Sequence, residues 1–122
     1  MNAIVNNPNR SEPRSNAVFK ISRAIATLWE IASNHLSLRE LEWFASGAAG
    51  QVGIDVRALS CAIESTAGLM ASDKQSGSLQ DTQSTAELLF NIQNQLEAIA
   101  GLAGIADNAS AQVCEALKRG NV

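Results

Sequence analysis

Residues 43–54 read Trp-Phe-Ala-Ser-Gly-Ala-Ala-Gly-Gln-Val-Gly-Ile, which sets Gly47, Gly50 and Gly53 inside a segment whose apolar spacing is that of one long helix. A glycine in a helix interior costs about 1 kcal/mol relative to alanine, so this ladder demands a structural reason. Close packing of another helix is one such reason and a turn is the other. They lead to different architectures and different functions.

Working outward, the segment opens on a strong start signal. Ser37, Leu38, Arg39 and Glu40 form a Ser-x-x-Glu capping box, flanked by Leu36 and Leu41 at the positions of a hydrophobic staple. Beyond it run Leu38, Leu41, Ala45, Ala48, Val52, Val56, Leu59, Ile63, Thr66 and Met70, with one stutter between Val52 and Val56. This predicts a helix over about 37–72. Upstream, Val18, Ile21, Ile25, Leu28 and Ala32 predict a shorter helix over about 15–33, with Asn34 ending it in the left-handed conformation. Downstream, Asp73 to Gly77 reads as a polar turn and Ser78 with Asp81 as a weaker cap. A third helix, about 79–118, carries Leu89, Ile92, Leu96, Ile99, Ala103, Ala106, Ser110, Val113 and Leu117, with Lys118 and Arg119 complementing its dipole and Gly120 closing it. No strand-like alternation occurs, so the class is all-α. Residues 1–14, rich in Asn, Ser, Arg and Pro, read as a disordered arm, and 15–122 as a single helical domain.

Folding the two long helices about a turn near 75.5 brings their seams together. Leu59 falls level with Ile92, Val52 with Ile99, Ala48 with Ala103, Ala45 with Ala106, Leu41 with Ser110 and Leu38 with Val113. That agreement predicts an antiparallel helical hairpin. In this register Gly50 and Gly101 point away from the shared seam, and Trp43, Gly47, Gly50 and Ile54 form a second apolar face with a smooth trough. The short helix, folded back about 35.5, would fill it by setting Leu28 over Trp43, Ala24 over Gly47 and Ile21 over Gly50. The far half of the hairpin would then project as a two-helix arm showing Leu69, Leu88 and Phe90. Trp43, Gly47, Gly50, Ile54, Leu69, Leu88 and Phe90 are therefore the candidate packing or partner face, and dimerisation through the uncovered surface is expected to complete a four-helix layer.

The composition narrows the function by exclusion. Nine Lys plus Arg against twelve Asp plus Glu give a net charge of -3, which opposes a nucleic-acid footprint, although Arg10, Arg14, Lys20 and Arg23 concentrate positive charge in the first residues. The polar start lacks the apolar core of an export signal, and no run approaches a membrane span, so a soluble cytoplasmic protein is expected. Cys61 and Cys114 have no metal-ligand spacing and read as buried small hydrophobes; the hairpin sets them too far apart for a disulfide. His35, the single histidine, has no partner at i+3 or i+4 to share a metal. Glu40 and Glu42 diverge on a helix and cannot share acid/base work, and Gly101 with Gly104 follows no strand, so it is not a phosphate loop. Trp29 and Trp43 read as core or interface anchors.

No enzyme, cofactor or metal is expected. The reading that remains is a non-enzymatic interaction module, a small regulator, adaptor, chaperone or inhibitor of a larger assembly, whose partners are itself and another protein. One alternative is a helix-turn-helix DNA-binding regulator over about 45–64, in which Gly53 makes the turn and Asp55 caps a second helix. A further alternative is a ligand-sensing bundle with a cavity between its helices.

Overall fold

A computed structural model describes residues 18–72 and 82–120 of the chain. Three helices make up the fold: α1 (Ile21–Ser33), α2 (Leu38–Ser72) and α3 (Thr82–Gly120), with no strand among the described residues. The expected arm at 1–14, the turn at Asp73 to Gly77 and the Ser78–Asp81 cap lie outside the described residues.

The capping box forms as its residue types dictate. The Ser37 N–H donates to Glu40 Oε2 at 2.7 Å, and the Glu40 N–H donates back to Ser37 Oγ at 3.3 Å. Two orphan donors of the helix start are thereby satisfied, and Leu36 packs against the cluster that holds Leu41, as a staple requires. These bonds favour the ionised Glu40 and hold its carboxyl below the usual range, the Ser37 N–H contributing most and its hydroxyl next.

Helix α1 starts later than its apolar stripe implies. Residues 18–20 are not helical, and Lys20, extended at φ -123° and ψ 130°, stands at the N-cap with no side-chain bond to offer. At the other end Asn34 is right-handed, φ -67° and ψ -15°, rather than left-handed. The chain leaves α1 by tightening: His35 N–H donates to Ala32 O at 3.0 Å and Leu36 N–H to Ser33 O at 3.3 Å, while the Asn34 amide reaches Glu30 O. The last carbonyls are satisfied without a left-handed residue, which removes the need for one.

Helix α2 runs without interruption through Gly53. The turn required by a helix-turn-helix is therefore absent, and Asp55, instead of capping a new helix, accepts a bond from Gln51 one turn earlier at 2.7 Å. Arg57 likewise folds along its own helix, its Nε donating to Gly53 O at 3.2 Å.

The two long helices pack against each other and run antiparallel, Leu41 clustering with Ala109 near one end and Leu59 lining a groove with Leu96 and Ile99 further along, so that Leu59 stands beside Ile99 rather than level with Ile92 as the register expects. The core lies where α1 joins them. Trp29, Leu41 and Ala109 are buried together, with Leu36, Phe44, Ala45, Ile105 and Val113 around them. On α3 the buried residue at this level is Ala109, not Ser110, which is exposed. The α3 stripe is thus rotated from the expected centre, because the helix must turn a second face toward α1.

Candidate interaction faces

Helix α1 packs on α3 and makes little contact with α2. Its position is fixed by three contacts that climb both helices together, so α1 runs parallel to α3. Ser22 donates from its N–H at 3.2 Å, and from its hydroxyl, to Glu97 Oε2. Ile25 lies over Gly101, so closely that a Cβ there would fall 2.6 Å from Ile25 Cδ1 and 3.0 Å from its Cβ. Trp29 Nε1 donates to Asn108 Oδ1 at 2.8 Å, and Gln112 one turn on donates to the same oxygen. The expected pair, Ile21 over Gly50 of α2, does not form; the isoleucine-over-glycine contact that occurs is Ile25 over Gly101 of α3.

Glu97 also supplies what the sequence of α1 lacks. With no cap at Lys20, the first turn of α1 presents unsatisfied donors, and a carboxylate from α3 accepts from the second residue of the helix. The Ser22 hydroxyl and then its N–H favour the ionised form, holding the Glu97 carboxyl below the usual range.

The correction leaves the trough on α2 open. A Cβ built at Gly47 or Gly50 would meet nothing within 4 Å. At either end of these glycines stand Trp43, 68% exposed, and Ile54, 55% exposed. The Trp43 ring is nevertheless positioned. It meets Phe44 edge-on with centroids 4.9 Å apart, and Phe44 in turn meets the buried Trp29 edge-on at 5.0 Å. A surface tryptophan is thus tied to the core through one intervening ring. Further along the hairpin Leu69 and Phe90 are exposed and Leu88 is half-buried, so the candidate residues do not form one continuous patch around a single helix.

A second open surface lies along the expected hairpin seam. On α3 the residues Ile92, Ile99, Ala106 and Val113 are buried or half-buried, whereas Leu89, Leu96, Ser110 and Leu117, from the other half of the same heptad pattern, are exposed. Beside them on α2, Leu38, Val56 and Ile63 are also exposed. Periodicity marked all of these as seam residues, but packing within the chain uses half of them. Cys61 and Cys114 are free and exposed rather than buried, the small-hydrophobe reading failing because both fall on faces that none of the three described helices covers.

Chemistry is sparse. Among the described residues no group of three or more His, Cys, Asp or Glu is placed to hold a metal ion, and no helix is long and apolar enough to cross a membrane. His35 is exposed at the α1–α2 junction. The main concavity follows the α1–α3 seam past Ser22, Trp29, Ser33, Gly101 and Asn108, open along its length rather than enclosed. Comparison of the chain with protein families, with curated proteins and with solved structures finds no match.

Proposed function

We propose that this protein is a non-enzymatic interaction module that acts through exposed helix faces and works as a homodimer. The observation that carries the reading is the uncovered trough on α2, where an oriented, exposed Trp43 stands beside two glycines at which an added Cβ would meet nothing among the described residues. An ordered aromatic anchor next to a smooth surface is what a partner helix needs for close approach, and tryptophan is enriched among residues that dominate binding energy. Nothing among the described residues packs on these glycines to account for their cost to α2. An external helix packed along the trough accounts for it.

A photo-reactive residue placed at position 47 tests this in the chain's native host. The expected result is one dominant protein adduct, lost when Trp43→Ala or Gly50→Arg is added. Adducts spread over many proteins, or one adduct indifferent to both substitutions, would contradict the reading.

A further inference from the structure

Heptad spacing places Leu89, Leu96, Ala103, Ser110 and Leu117 in one row on α3, and among the described residues Leu89, Leu96, Ser110 and Leu117 are left exposed while Ala103 is half-buried. Leu89 is 61% exposed, Leu96 50% and Leu117 48%. The neighbouring row, Ile92, Ile99, Ala106 and Val113, is occupied by the packing within the chain. A strict seven-residue repeat has meaning only as a seam between helices, because 3.5 residues per turn keeps such a row facing a partner. Here the row spans about 42 Å at helical rise. Half of a coiled-coil seam is therefore built and unmatched.

From this we infer that the row on α3 is the seat of a second copy of this chain, paired antiparallel about a two-fold axis beside Ala103. The inference rests on the homodimer reading and assigns it a surface, separate from the Trp43 trough. Three observations select the occupant. The first is self-complementarity, which a two-fold interface requires. Ala103 lies midway between Leu89 and Leu117, so the axis sets Leu89 of one copy level with Leu117 of the other and large Leu96 level with small Ser110. At the axis itself the small Ala103 lets two helices approach closely.

The second observation is charge. Between Leu89 and Leu117, α3 carries three charged side chains, Glu97, Asp107 and Glu115, and Glu97 is turned to Ser22 on α1. The antiparallel pair sets Asp107 level with Ile99 and Glu115 level with Asn91, so no two acids meet. A parallel pair would set the basic ends, Lys118 and Arg119, level with each other, whereas the antiparallel pair sets them level with Leu88 and Glu87. The third is area. The row's three leucines, with Leu38, Val56 and Ile63 bordering it on α2, leave on the order of 500 Å² of apolar surface per chain, so a pair covers about 1,000 Å², where specific interfaces begin.

Sedimentation equilibrium of the full chain over a wide concentration range tests the assignment. The wild type is expected to be a dimer. Leu96→Asp is expected to weaken association on the order of a hundredfold or more, as a charge forced into an apolar seam should, while Ile54→Asp on the trough leaves it unchanged. A monomeric wild type overturns both the homodimer and its seam; a dimer indifferent to Leu96→Asp overturns the seam alone. Should Leu96→Asp fail to fold, disulfide trapping decides. In a Cys61→Ser, Cys114→Ser background, Ala103→Cys is expected to give a covalent dimer under mild oxidation and Gly50→Cys to give none. Equal trapping at both positions, or none at position 103, overturns the proposal.

Discussion

Gly101 and Gly50 are the same residue type in the interiors of neighbouring helices, yet their surroundings are opposite. At Gly101 an added methyl would press on the branched root of Ile25, at 3.0 Å from its Cβ and 3.1 Å from Cγ2, where a rotamer change gives no relief. Gly101→Ala should therefore cost about 1–3 kcal/mol, the usual scale of overpacking, even after the helix-propensity gain. At Gly50 the methyl meets open space, so Gly50→Ala should stabilise the free protein by about 0.5–1 kcal/mol. Denaturant midpoints of the two variants check both signs, and a destabilising Gly50→Ala would mean that the trough is filled from within. Sequence periodicity located both glycines off the hairpin seam but could not distinguish them. Counting residues fixes neither the exact height at which two helices pair, Leu59 lying beside Ile99 and not Ile92, nor the side from which a third helix approaches.

For the elements, the deciding interactions were those with no periodic signature. The four-residue link from Asn34 to Ser37 lets α1 swing toward either long helix. Two polar pairs, Ser22 with Glu97 and Trp29 with Asn108, accompany its placement on α3, and neither belongs to a motif. By contrast the start of α2 was fully legible, because Ser37 and Glu40 lie within one turn and need no tertiary context. The end of α1 was misread for a related reason: Asn permits a left-handed cap without requiring one.

Glu97 makes the docking of α1 testable by pH. Its carboxyl is held below the usual range in the folded chain, so its contribution is fully present above the unfolded-state pKa and is lost as pH falls through the lowered folded value. Amide protection in the first turn of α1, measured relative to the intrinsic exchange rate at each pH, should therefore fall as the solution is acidified through the carboxylate range. In Glu97→Gln, which keeps an acceptor but not the charge, protection in that turn should be lower at neutral pH and flat across the same window. Exchange in α1 indifferent to the substitution would show that Glu97 does not cap it. Glu40 titrates in the same direction, but its effect is confined to the start of α2.

At the level of the whole molecule, what stands out is how little core one chain makes. Among the described residues six apolar ones are buried, three of them alanines, while fourteen large apolar side chains stay exposed, Trp43, Leu89 and Phe90 among them. Single exposed hydrophobics are ordinary, but here Trp43 and Ile54 flank the trough on α2, and Leu89, Leu96 and Leu117 share a row on α3. The all-helical class and the pairing of the long helices were legible because amphipathic spacing dictates both. The open faces were legible only as an excess of apolar positions over what three helices can use. The same excess that marked Leu89, Leu96 and Leu117 as seam residues could not say whether the second helix of that seam belonged to this chain.

Both surfaces are assigned to partners, one to a second copy and one to another protein, and Trp43 reports on the functional one. Hydroxyl-radical footprinting compares its reactivity in purified protein and inside the native host. The account predicts strong oxidation of Trp43 in the purified protein, where α1 leaves it uncovered, and clear protection in the cell. Equal oxidation in both settings would contradict the claim that the α2 trough is where this protein meets its partner.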